Sequence, residues 1–200
     1  MLSVFFWRVA MAVSAILLVG ASGCGSPATT FYALNPLPPG ASPKDTADSR
    51  GPGVGVGPAV LPDRLDRPQI VTRVGENMLH LAEFDQWAAP LRDSFPRVLA
   101  ENLSILIPTD RVSIFPWSPD EPIDFEVRVE VSQFEGSLGG DCSLVARWSI
   151  FRRGDRQMTS GISNHTEPAG DTYTTLVAAE NRLLAALSRD IATTVKALQQ

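Results

Sequence analysis

The sequence of 200 residues contains few of the side chains on which most enzyme and nucleic-acid sites depend. It has two histidines, two cysteines and, at Lys44 and Lys196, two lysines. Its 17 basic and 22 acidic residues give a net charge of −5, and the arginines are scattered along the chain. Because nucleic-acid binding requires a concentrated positive face, the composition argues against a nucleic-acid partner. Hydrophobic residues make up 44% and charged residues 20%, which is typical of one globular domain.

The amino terminus has the pattern of an export signal. Arg8 is the only charged side chain in residues 1–23. The apolar and small residues of Val9–Ala21 number 13, whereas a membrane span needs about 20. We therefore predict a signal peptide over residues 1–23. An uncleaved anchor, counted from Met1, is the alternative.

The small residues Gly20–Gly23, directly before Cys24, resemble the lipobox of bacterial lipoproteins. This resemblance implies that the chain is cut before Cys24 and that the cysteine is acylated. Two or more acyl chains give a stable membrane attachment, which a single chain does not. Neither Gly25 nor Ser26 is the aspartate that retains lipoproteins in the inner membrane. By that sorting rule we expect a lipid-anchored protein on the periplasmic face of the outer membrane.

Lipidation of Cys24 leaves Cys142 as the one remaining thiol. An intramolecular disulfide is then impossible, even in an oxidising compartment. Since Cys142 lies in a strand-like segment without a nearby base, we expect it to be a small buried core residue.

Alternating and strand-forming segments predict a sheet. Residues 24–53 are expected to hold the lipidated amino terminus, a first strand and a Pro/Gly-rich loop, and residues 54–200 the rest of one domain. In Phe125–Val131, apolar and charged residues alternate, as in a strand buried on one face. Gly75-Glu76-Asn77 predicts a hairpin turn between two strands. The predicted strands are Thr29–Leu34, Val54–Leu61, Gln69–Arg73, Met78–Leu81, Asp110–Phe115, Phe125–Val131, Cys142–Arg152 and Arg156–Asn164.

In two segments, apolar residues recur at the spacing of one face of a helix. The first follows Pro90 and presents one apolar face as far as Leu106, although Pro96 predicts either a later start or a kink. The second runs from about Thr172 to Leu198. The sequence thus predicts an α+β fold, a single two-layer domain in which an antiparallel sheet carries both helices on one face.

The search for catalytic and metal-binding patterns finds almost none. His80 and His165 lack cysteine or acidic neighbours at metal-ligand spacing, and we interpret both as surface or hairpin residues. No Gly-x-Ser-x-Gly motif is present. The glycines of Gly51–Gly57 lack the lysine and the helix start of a phosphate loop. We therefore expect no enzyme activity, no cofactor and no metal site.

Three residues indicate a contact surface instead. Arg67 precedes the predicted strand Gln69–Arg73, Arg73 ends it, and Trp87 follows in a short polar segment. Arginine and tryptophan are enriched where proteins bind one another. We predict a partner contact at Arg67 and Arg73. For Trp87 we expect packing beneath the hairpin, and a partner contact is the alternative.

Several segments, in this order, resemble the ABC-type transport auxiliary lipoprotein family (PqiC-like proteins). The most specific are Leu65–Arg73, with its Asp-Arg-Pro-Gln-Ile-Val core, and Glu83–Leu91, with Glu-Phe-Asp-x-Trp. Arg64 departs from the family pattern, in which we expect an aromatic residue. The other matching segments are Phe31–Leu34, Val60–Pro62, Leu99–Leu103 and Phe115–Trp117.

The resemblance implies an accessory subunit of an intermembrane phospholipid transport system. Relatives act beside an ABC ATPase, a permease and an MCE-domain protein, and some assemble as homo-oligomer rings. The implied partners are the MCE-domain protein and the outer membrane, without nucleic acid. A stand-alone structural or assembly lipoprotein of the envelope is the alternative, and an uncharacterised periplasmic hydrolase is a third.

Overall fold

A computed structural model describes residues 27–38, 51–107, 109–152 and 157–199. The predicted signal peptide, Cys24, the middle of the Pro/Gly-rich loop (39–50) and the turn at 153–155 lie outside the described residues. Within them, the strands are β1 (Thr30–Tyr32), β2 (Val54–Val60), β3 (Gln69–Arg73), β4 (Leu79–Trp87), β5 (Val112–Ile114), β6 (Phe125–Gly136), β7 (Asp141–Arg152) and β8 (Gln157–Pro168). The helices are α1 (Leu91–Leu106) and α2 (Tyr173–Ala197), and a short 3-10 turn covers Asp63–Leu65.

The predicted α+β class is confirmed, but the sheet is mixed and not antiparallel throughout. Strands β6, β7 and β8 pair antiparallel, as do β3 and β4. Parallel pairs join β1 to β4, β2 to both β5 and β6, and β3 to β6. Side chains alternate with a period of two in both kinds of pairing, so alternation in the sequence carries no information on strand direction.

Both helices pack against the sheet and against each other. The alternating residues Val127, Val129 and Val131 of β6 are buried. Between the helices, Asn102 Nδ2 donates a buried hydrogen bond of 3.1 Å to Ser188 Oγ. None of the helices in the described ranges is long and apolar enough to span a membrane.

Helix α1 begins at Leu91, so the later start at Pro96, one of the two alternatives, is wrong. Pro96 lies in the second turn and is itself buried. Its missing N–H removes a single backbone hydrogen bond, to Arg92. Burial of Phe95, Val98 and Leu99 on the same face offsets this loss, because each such side chain contributes about 1.5–3 kcal/mol.

Strand β4 is more than twice as long as predicted and continues to Trp87. Its polar second half lies beyond the predicted strand Met78–Leu81. It is a strand because β1 pairs with it in parallel, with Thr30 opposite Asp85 and Tyr32 opposite Trp87. Tyr32 also donates a hydrogen bond of 2.8 Å to Asp85 Oδ1, which holds the two strands together.

Candidate docking cleft

The start of β3 and the end of β4 form a cleft of about 350 Å³. The backbone N–H of Trp87 donates a hydrogen bond of 2.7 Å to the Pro68 carbonyl oxygen, and Gln69 pairs with Gln86. Leu65–Arg73 and Glu83–Leu91, which are far apart in the sequence, therefore lie side by side. We call this the docking cleft, and its lining residues are Asp66, Arg67, Pro68, Trp87, Ala88, Ala89, Pro90 and Arg92.

Trp87 supplies the apolar base of the docking cleft. Its side chain is 6% exposed and belongs to the hydrophobic core. The packing that we expected for Trp87 is therefore confirmed. Trp87 also lines the cleft, and a partner contact there stays a prediction.

The rim of the cleft carries charges of both signs. Arg92 Nη1 donates to Asp66 Oδ2 at 3.0 Å, and both side chains are exposed. Solvent-exposed ion pairs of this kind contribute at most about 1 kcal/mol, so this pair can open at little cost. A ligand could then compete for either charge.

Arg67 is half-buried beside the apolar base. Its Nε donates a hydrogen bond of 2.8 Å to the Arg64 carbonyl oxygen, which fixes the direction of the guanidinium. Within the described part of the chain, its terminal amino groups have no hydrogen-bond partner. A guanidinium presents paired donors that match a carboxylate. The cleft is therefore suited to a peptide segment that combines an acidic with an apolar side chain.

Arg73 does not join Arg67 and Trp87 in the docking cleft. It lies at the other end of β3 and lines a different cavity, between the β3–β4 hairpin and the β6–β7 turn. Its Nη2 donates to Glu135 Oε1 at 2.7 Å. The structure thus brings two of the three predicted contact residues together and gives the third a structural ion pair.

Glu135, which the sequence analysis did not single out, is a buried carboxylate that binds two arginines. Its side chain is fully buried, and Arg64 Nη2 donates to both of its oxygens at 3.2 Å. The Phe134 N–H donates to Oε2 at 3.0 Å. Arg64 stands where the family pattern has an aromatic residue, and its guanidinium forms an ion pair with Glu135. A register shift between Val131 and Gln133 interrupts the alternation that would otherwise have indicated the environment of Glu135.

A second buried carboxyl group, Glu180 on α2, lies close enough to interact with Glu135. Burial raises the pKa of Glu180 well above its usual value, and the negative charge of Glu135 raises it further. Glu180 Oε2 has no hydrogen-bond partner among the described residues. Both effects favour the protonated, uncharged form of the Glu180 carboxyl group.

Cys142 is a free, fully buried thiol, as predicted. Burial is the main cause that raises its pKa, and the neighbouring Glu180 and Glu135 carboxyl groups act in the same direction. Since the thiolate is the reactive form, this cysteine is inert at neutral pH.

His80 is exposed on the hairpin strand β4, as the sequence analysis predicted. His165, on β8, is about a third exposed, and its Nε2 lies 2.7 Å from Asp190 Oδ2. Ser163 Oγ donates to the same carboxylate oxygen at 2.6 Å. The carboxylate therefore stands between the serine and the imidazole, whereas nucleophile activation requires the imidazole next to the hydroxyl.

In the described ranges, no group of three potential ligands could hold a metal ion.

Residues 32–192 match the sequence model of the family described as ABC-type transport auxiliary lipoprotein component. Among solved structures, an uncharacterised protein is similar, with 20% identity, a TM-score of 0.69 and coverage of 84% of this chain and 99% of the other. A protein from Xanthomonas campestris has 18% identity and a TM-score of 0.67, over 86% of this chain and 98% of that one. None of the curated proteins matches the sequence.

Proposed function

Because this chain belongs to the family of ABC-type transport auxiliary lipoprotein components, with a match over residues 32–192, we propose that it docks the MCE-domain protein of an intermembrane phospholipid transport system. Family membership makes it an auxiliary component of ABC-type transport and an envelope lipoprotein. In the proposed docking role, acylation of Cys24 anchors the protein to the periplasmic face of the outer membrane. The MCE-domain protein then binds to the described domain.

The docking cleft is the observation that carries this proposal. It is built from the two segments by which the chain most resembles its family, and its base contains Trp87, which is buried. Tryptophan and arginine are enriched at protein-binding hot spots, and among the described residues the terminal groups of Arg67 have no partner. Acidic and apolar residues of the MCE-domain protein are the expected contacts.

The proposed role requires binding and no catalysis. The Ser163, Asp190 and His165 side chains stabilise the contact between β8 and α2, because the carboxylate accepts from both neighbours. Their order does not place a base on the serine hydroxyl. We propose that the protein is not an enzyme, and that it works as a fixed docking subunit.

Co-purification of the full-length, tagged protein from native membranes tests this role. We expect an MCE-domain protein to be recovered with the wild type. Arg67→Glu should reduce that recovery at least about tenfold, because a reversed charge repels the acidic contact, and a factor of ten corresponds to about 1.4 kcal/mol. Arg97→Glu is the matched control, since Arg97 is an exposed arginine on α1 outside the cleft.

Two results would contradict the proposal. Recovery of only unrelated proteins with the wild type would favour a stand-alone envelope lipoprotein. Equal losses for Arg67→Glu and Arg97→Glu would mean that the cleft is not the docking surface. Comparison of urea unfolding curves ensures that neither variant acts by unfolding the domain.

A further inference from the structure

The β3–β4 hairpin ends in a segment in which every residue from Val74 to Leu81 is exposed. Four of these eight residues are apolar, and the side chain of Met78 is 63% exposed. Leu138, in the β6–β7 turn, is also exposed and lines the same cavity of about 560 Å³ as Val74. We call residues 74–81 and Leu138 the hairpin tip. Exposed apolar residues grouped in this way mark a contact surface.

The direction of β1 relates the hairpin tip to the amino terminus. β1 is parallel to β4, which runs from Leu79, at the tip, to Trp87. The amino end of β1 therefore faces the tip. Thr30 lies opposite Asp85, six residues along β4 from Leu79, a distance of at most about 20 Å at the strand rise of 3.3 Å per residue.

The chain between Cys24 and Thr30 can span the same distance as that between Thr30 and the hairpin tip. Cys24 precedes Thr30 by six residues, and six residues span at most about 20 Å. An acyl group on Cys24 can therefore lie level with the hairpin tip. It also holds the amino end of β1 within that distance of the bilayer.

We propose that the hairpin tip contacts the surface of the lipid bilayer that holds the acyl anchor, an inference that rests on the proposed lipidation of Cys24. The acyl chains provide the attachment, and the tip fixes the orientation of the domain on the membrane. Residues 74–81 contain no lysine or arginine, and Glu76 is acidic. The contact therefore depends on apolar burial and not on attraction to anionic headgroups. Raising the salt concentration should leave it unchanged.

Site-specific fluorescence on the full-length lipidated protein tests the contact. An environment-sensitive dye is attached to Met78→Cys, and the protein is reconstituted into phosphatidylethanolamine–phosphatidylglycerol vesicles that contain a nitroxide-labelled lipid. Ile162→Cys is the matched control, because Ile162 is 65% exposed but lies on β8, on the other side of β6 from the hairpin. The buried thiol of Cys142 is protected from the dye by its burial and its raised pKa.

We expect blue-shifted emission and strong quenching by the lipid nitroxide for the dye at position 78, and neither effect at position 162. Added salt should not reverse the result. A protein that floats with the vesicles while the dye at position 78 stays in water would overturn the bilayer contact and leave the lipid anchor intact. Blue-shifted but unquenched emission would also overturn it, since a second copy or another protein would then cover the tip. Labelling of Cys24 itself, with no vesicle binding, would overturn the anchor and this inference together.

Discussion

The carboxylate of Glu135 on β6 accepts a 2.7 Å hydrogen bond from the guanidinium of Arg73 on β3. This ion pair lies where the two parts of the sheet meet. Strands β3 and β6 are paired at one position, where Thr72 lies opposite Gly136. Strands β1, β4 and β3, which carry both the docking cleft and the hairpin tip, are thus joined to β6 largely by side chains. Through its ion pair with Arg73, Glu135 adds a buried link between β3 and β6.

Glu135→Gln should destabilise the domain. The substitution leaves Arg64 and Arg73 without a negative partner, and breaking a buried ion pair costs about 3–5 kcal/mol. Because both arginines are about a third exposed, we expect the free energy of unfolding to fall by about 2 kcal/mol, less than that range. Urea unfolding at neutral pH measures the change.

Glu101→Gln provides the control for this substitution. Glu101 forms an exposed ion pair with Arg97 on the same helix, which contributes about 0.3–0.5 kcal/mol. If Glu135→Gln changed the unfolding free energy no more than this control, Glu135 would not be holding the two parts of the sheet together.

Glu180 should make stability depend on pH. The pKa of its carboxyl is raised in the folded protein, whereas the unfolded group titrates near 4.3. Between these two values the unfolded state binds fewer protons, so the stability of the wild type falls as the pH rises. Below about pH 4.3 both states are protonated, and the effect is absent.

Glu180→Gln removes this titration. The free energy of unfolding of the variant, minus that of the wild type, should increase from pH 4 to pH 8, with a slope of at most about 1.4 kcal/mol per pH unit. Glu101→Gln, which removes an exposed carboxyl group, is measured alongside as the control. A constant difference for Glu180→Gln over this range would show that Glu180 is not held neutral by the fold.

Gly161 on β8 should not tolerate a side chain. It lies opposite Trp148 on β7, and a Cβ atom at this position would collide with the indole ring. Trp148 Nε1 also donates to Ser163 Oγ at 3.1 Å, which restricts the movement of the ring. We expect Gly161→Ala to lower the free energy of unfolding by about 1–3 kcal/mol, the usual cost of overpacking.

Gly75→Ala is the matched control, because the space around Gly75 is open and the nearest side-chain atom, Met78 Cβ, lies 3.9 Å from the added group. Thermal unfolding followed by tryptophan fluorescence compares the two variants. Equal midpoints would mean that the Trp148 ring moves aside freely.

The helices, the hairpin and the buried alternation of β6 could be predicted because their patterns are local. The two segments of the docking cleft were found by resemblance, and their meeting depends on the pairing of Gln69 with Gln86, which no local pattern encodes. The same limit applies to the direction of β2 and to the second half of β4, which β1 makes into a strand.

The ion pair of Arg64 with Glu135 could not be predicted for two reasons. The residues are 71 positions apart, so no helical or strand period connects them. The register shift after Val131 also changes which residues of β6 face the core. Arg73 was expected at a partner contact because arginines are enriched at such contacts, but at the end of β3 it pairs with Glu135.

In-cell photo-crosslinking tests the docking role most directly. A photoreactive residue replaces Ala89, which is exposed on the rim of the docking cleft, or Ser160, which is exposed on β8, and Cys24 is kept. The account predicts a crosslink to an MCE-domain protein from position 89 and none from position 160. A crosslink to that protein from position 160 alone, or from neither position in folded and membrane-bound protein, would contradict it.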